Sequence, residues 1–151
     1  PFVTRRKTSD EASYRRLLVL LFRGSFYLGV AVTLATWLVS DPLVHLLFGP
    51  AFAQSARVAD IHVASNIFCF LGIARGLWVI NERRFGVLLY GTLLAGATGV
   101  LANWLLLPRI GVVGAAWTAV AVQIVADFLI NMFLDRKCFR MQLEAIFFLR
   151  S

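Results

Sequence analysis

Residues Phe85–Leu134 read FGVLLYGTLLAGATGVLANWLLLPRIGVVGAAWTAVAVQIVADFLINMFL. Two apolar runs, Phe85–Leu107 and Val112–Leu134, are parted only by Pro108–Gly111. Each has 23 residues, and a helix needs about 20 to cross the hydrocarbon core of a bilayer. Pro108 is expected to stop the first helix and Gly111 to turn the chain. So short a link forces two antiparallel neighbours. The stretch therefore predicts a hairpin of membrane-spanning helices.

The rest of the chain extends this pattern. Of 151 residues, 60% are apolar and 15% charged, with a mean hydropathy of +0.78. Soluble domains average about 45–50% apolar and about 25% charged. A soluble chain this short cannot bury such an excess, and disorder is excluded for the same reason. Two further spans are expected, Leu17–Val39 and Val58–Ile80. Asp41-Pro42 should end the first of them, Leu43–Phe48 is too short to cross, and Gly49-Pro50 reads as a turn. Thr8 and Glu11 fit a capping box, so the first helix should begin near Ser9, ahead of the membrane. The expected fold is an all-α polytopic membrane protein with four transmembrane helices. Residues 1–16 form an amphipathic lead-in, 17–134 the four-span bundle and 135–151 a basic amphipathic tail. The tail is expected to lie on the membrane surface, with a truncated further span as its competing reading. The chain opens at Pro1 rather than Met, as a piece of a longer protein would.

Charge tests the span count. Fifteen Lys and Arg stand against eight Asp and Glu, a net +7. Arg5, Arg6, Lys7, Arg15, Arg16, Arg83, Arg84, Arg136, Lys137, Arg140 and Arg150 fall on one side of the predicted membrane. Arg57 and Arg109 fall on the other. The positive-inside rule makes the richer side cytoplasmic and places both termini there. The basic excess thus encodes topology, and no nucleic-acid partner is implied. Trp37, Trp104 and Trp117 are expected in an outer aromatic belt, Tyr14 and Trp78 in an inner one.

Three charges lie within spans: Arg23, Arg75 and Asp127. Each costs roughly 3 kcal/mol on insertion scales. At 1.5 Å per residue all three sit about 8–11 Å below the inner boundary. Their common depth predicts a cationic cavity layer that opens to the cytoplasm and receives an anionic group. The competing reading is a structural ion pair plus a snorkelling arginine. Asp60 and Arg75 project onto one stripe of the second span, which should face the bundle interior. Asp60 and His62 are the candidates for ion coupling, with solvation among outer headgroups as the plainer reading. Gly72/Gly76, Ala95/Gly99 and Ala115/Ala119 are small-xxx-small pairs that let helices approach. Cys69 and Cys138 differ in depth and are expected to stay unpaired. No metal-ligand spacing, cofactor motif or catalytic constellation is present, so an enzyme is not expected.

Two motifs carry a resemblance. They are LLFGPAFAQSARV at Leu46–Val58 and NWLLLPRIGVVGAAWTA at Asn103–Ala119. The matching positions are Leu47, Phe48, Gly49, Pro50 and Phe52, then Asn103, Leu106, Pro108, Gly111, Gly114, Ala115 and Ala116. Both motifs resemble the carboxy-terminal region of bacterial polysaccharide-biosynthesis flippases, of the multidrug/oligosaccharidyl-lipid/polysaccharide exporter superfamily. The resemblance implies a larger two-bundle transporter of about twelve or more helices in a bacterial inner membrane, with this chain supplying the last four. It implies lipid-linked oligosaccharide as the substrate, moved to the outer leaflet by alternating access. Other implied partners are membrane lipids and the preceding helices of the same protein. A pyrophosphate head group would call on Arg23 and Arg75, with Asp127 as their charge partner. A drug or small-solute exporter of the same superfamily and a non-transporting structural membrane subunit are the alternatives.

Overall fold

The computed structural model describes residues 11–147, every element of which is helical. The expected capping box at Thr8, the helix start near Ser9 and the end of the tail lie outside these residues. The first helix, α1, spans Glu11–Phe48. At 1.5 Å per residue its 38 residues reach about 57 Å, well beyond a hydrocarbon core. Pro42 lies inside α1, so the expected stop at Asp41-Pro42 is corrected. Proline removes one backbone donor, and the unpaired carbonyl four residues back belongs to Leu38, which is exposed. The helix ends instead at Gly49, whose φ of 80° only glycine adopts without strain.

A 3-10 turn at Pro50–Phe52 leads into α2, Ala53–Val63, and α3, Ser65–Asn81. The expected single span Val58–Ile80 holds within one rod, Pro50–Asn81, whose hydrogen-bond ladder breaks at Ala64 while the backbone stays helical (φ −61°, ψ −24°). Ser65 explains the break: its hydroxyl donates to the His62 carbonyl at 2.6 Å and competes with the backbone ladder. The hairpin follows as α4, Phe85–Ile110, and α5, Val112–Ile124. Pro108 is absorbed in the last turn of α4, and Gly111 (φ 61°) ends that helix. A π-helical segment, Val125–Leu129, and α6, Ile130–Leu134, complete the fourth span. The expected bounds Val112–Leu134 hold. The last helix, α7, covers Arg136–Phe147.

Four helices are long and apolar enough to cross a membrane: α1, the α2–α3 rod, α4, and α5 with its continuation to Leu134. Leu34, Leu38, Leu89, Leu93, Val100, Leu101 and Phe133 are all exposed on them. A soluble monomer rarely exposes more than a few hundred Å² of contiguous apolar surface, so the outside of the bundle is built for lipid. Two seams hold it together. A Cβ on Gly29 of α1 would stand 2.8 Å from the Ile67 backbone of α3, so the absence of a side chain sets that crossing. Gly114 plays the same part in the hairpin, 2.7 Å from the Leu106 carbonyl.

The densest core gathers at one end, where Tyr14, Leu18 and Phe22 of α1 meet Leu71, Ala74 and Trp78 of α3 and Cys138, Met141 and Ala145 of α7. The tail is therefore a packed element of the bundle. Its apolar face covers protein, and Arg136, Lys137 and Arg140 are exposed on the other side. Tyr14 and Trp78 are likewise buried and form no inner belt, whereas Trp37, Trp104 and Trp117 are exposed as an outer belt requires.

Candidate functional site

Arg75 of α3 is 4% exposed, in the apolar part of the bundle. All three guanidinium nitrogens are engaged. Nε donates to Asn131 Oδ1 at 2.9 Å, Nη1 to Asp127 Oδ1 at 3.2 Å and Nη2 to the Val87 carbonyl at 3.1 Å. Two glycines make room for the pair. A Cβ on Gly72 would collide with the Asp127 carboxyl, and one on Gly91 would stand 2.8 Å from Arg75 Nη2. Gly76 faces nothing within 4 Å, so the GxxxG pattern serves a carboxylate and not a helix seam.

The π-helical segment adjoins the same network. The Asp127 carbonyl accepts Asn131 Nδ2 at 2.9 Å and Gln142 Nε2 at 2.8 Å. In the widened turn around it the Ile130 N–H reaches back five residues to the Val125 carbonyl. Asn131 Nδ2 also donates to Gln142 Oε1 at 3.1 Å, so α7 is tied into the buried network. A network this fully satisfied is rigid, whereas a broken one leaves a buried charge.

The expected charge layer is realised only in part. Arg75 and Asp127 meet. Arg23 does not join them: its Nη2 donates to the Glu144 carbonyl of α7 at 3.4 Å. Nor does Asp60 meet Arg75, whose partners are Asn131, Asp127 and the Val87 carbonyl. Asp60 turns to α1, where it accepts from Ser40 Oγ and its carbonyl accepts from Trp37 Nε1 at 2.7 Å.

His62 lies elsewhere, in a groove of about 490 Å³ between the α2–α3 rod, α4 and α5. Asn66, Cys69, Asn103, Thr118 and Gln123 line it too. Gln123 Nε2 donates to Asp127 Oδ2 at 3.3 Å and joins the groove to the buried pair. The side chains of His62, Asn66 and Asn103 make no hydrogen bond among the described residues. Neither Arg23 nor Arg75 lines this groove. A polar groove thus lies beside an internally paired arginine.

Asp135 and Gln142 are among the buried polar residues that the sequence did not single out. Asp135, 1% exposed, caps α7 through the Cys138 N–H at 3.1 Å, and its other oxygen accepts from Trp78 Nε1 at 2.8 Å and Arg84 at 3.0 Å. Gln142 is fully buried. The only sequence signal for either was an N-cap residue ahead of an amphipathic run. Burial pushes the Cys138 thiol well above the usual range, and the neighbouring Asp135 charge adds to it. Both cysteines are free.

The fold defines a membrane-embedded helical bundle with a polar interior. No family model, curated protein or solved structure matches this chain.

Proposed function

We propose that this chain is the transporter segment implied by its motifs, moving lipid-linked oligosaccharide from the cytoplasmic to the outer leaflet of a bacterial inner membrane by alternating access. The observation that carries this reading is the polar groove. Three spans of lipid-compatible composition place hydrogen-bonding side chains along one cleft, and three of those side chains have no hydrogen-bond partner among the described residues. Stranding amides in hydrocarbon is costly, so the cleft is fit for water or a polar ligand. Amides donate and accept at once, which suits hydroxyl-rich sugars. Arg75 remains the candidate for the anionic head group, exchanging Asp127 for phosphate as the cleft changes access. Arg23, bonded to α7, is the second candidate.

The full attachment of Arg75 favours one competing reading, a structural subunit whose charges only hold the fold. Asn103→Leu and Gln123→Leu distinguish the two. On the transport reading both lose surface polysaccharide at unchanged protein level. Retained polysaccharide in both variants refutes transport through this groove. A water-soluble maleimide applied to Cys138→Ala protein in membranes should label Cys69 if the groove is hydrated.

A further inference from the structure

A second cavity, of about 480 Å³, lies at the end of the bundle where the first turn of α1, the last turn of α3 and the start of α7 converge. Its volume falls in the range of small-molecule sites, about 300–1,000 Å³. Tyr14 and Trp78 line it, their rings stacked with centroids 6.4 Å apart. Both polar tips are already engaged, the phenol donating to Glu82 at 3.3 Å and the indole to Asp135. What these rings offer a ligand is aromatic surface.

The charged lining has both signs. Arg15, Lys137 and Arg140 supply cations, and Glu11 and Glu82 supply carboxylates. Arg15 is paired with Glu144. Lys137 and Arg140 are exposed and make no ion pair among the described residues. Two available cations suit a phosphate. A simple anion would leave the Glu11 carboxylate facing it. A ligand carrying a phosphate and an ammonium a few atoms apart satisfies both sets, and the ammonium gains the aromatic faces as well. The location narrows the source. The cavity opens where the apolar spans end, beside the Asn81–Arg84 turn, which is headgroup depth for a protein spanning a bilayer.

We propose that this cavity binds the headgroup of an aminophospholipid of the phosphatidylethanolamine class, phosphate on Lys137 and Arg140 and ammonium on Glu11 against the aromatic faces of Tyr14 and Trp78. The site is separate from the groove and does not depend on the transport reading.

Native mass spectrometry of the detergent-purified protein tests this. The protein is titrated with short-chain phosphatidylethanolamine, short-chain phosphatidylglycerol and soluble glycerophosphoethanolamine. One phosphatidylethanolamine should be retained per chain, with affinity about tenfold above phosphatidylglycerol. Lys137→Gln/Arg140→Gln should weaken it about tenfold. Glu11→Gln should abolish the preference while leaving phosphatidylglycerol binding in place. All three positions are exposed, and the lipid-free melting midpoint checks that the variants fold. Equal or stronger retention of phosphatidylglycerol overturns the proposal, as does binding unaffected by the double substitution. Soluble glycerophosphoethanolamine binding as tightly as the lipid overturns the assignment to a bilayer ligand.

Discussion

Gly72 and Gly76 share one helix and one sequence motif, yet the structure gives them opposite consequences. Consider Gly72→Ala. The added methyl collides with the Asp127 carboxyl, which Arg75 holds on one side and Gln123 on the other. The carboxylate must leave Arg75, whose side chain is 5% exposed. Breaking a buried pair by deleting a partner costs about 3–5 kcal/mol. Here the carboxylate is displaced and keeps access to the groove, and Arg75 keeps Asn131 and the Val87 carbonyl. The expected loss is therefore smaller, about 2–3 kcal/mol, since the stranded charge retains part of its hydrogen bonding. Gly76→Ala meets nothing within 4 Å. It should be neutral or stabilise by up to about 1 kcal/mol through helix propensity. Reversible unfolding in mixed micelles measures both. The cause is isolated in an Arg75→Met/Asp127→Ala background, where the space is vacated and the Gly72→Ala penalty should fall by more than half. Equal penalties at the two glycines would refute the reasoning, because they would mean that the motif packs a helix seam. So would a Gly72→Ala penalty unchanged in the double-substituted background.

Two further outcomes follow from the same coordinates. Arg83 occupies the left-handed position of the α3 C-cap (φ 54°), with Arg84 N–H bonded to the Val79 carbonyl and Arg83 N–H to the Ile80 carbonyl; Arg83→Gly should raise stability by about 0.5–1 kcal/mol in the same unfolding assay. Cys138 is neutral when folded because its pKa is raised, whereas an unfolded thiol ionises near its ordinary value. The resulting stability is whole below the ordinary thiol range and drains away as pH rises above it, so the melting midpoint should fall between pH 8 and 10 (roughly the window above an ordinary thiol pKa), and fall less in Cys138→Ala.

The four spans were legible because their cause is local and additive. A run of about 20 apolar residues must be buried in hydrocarbon, whatever its neighbours are. Helix ends were less legible. Pro42 and Pro108 read as stops, but each removes one donor and sits where the rest of the helix still carries it. The break at Ala64 had no proline or glycine to announce it, because a serine hydroxyl makes it by taking a carbonyl. The Gly72/Gly76 pattern was visible, while its use was not.

Sequence by itself determined the number of membrane-spanning helices, the tight α4–α5 hairpin and the presence of three charges that hydrocarbon would not tolerate alone. Only the tertiary structure decided what those charges do. Arg75 meets Asp127, Asn131 and a backbone carbonyl, while Arg23 turns to α7. Depth along a helix follows from counting residues. Rotation about the helix axis, and thus partnership, depends on slips such as the π-helical turn at Asp127 and on glycines that let two backbones or a carboxylate approach. Each of these is set by contacts between residues far apart in the chain, so apolar periodicity carries no record of them.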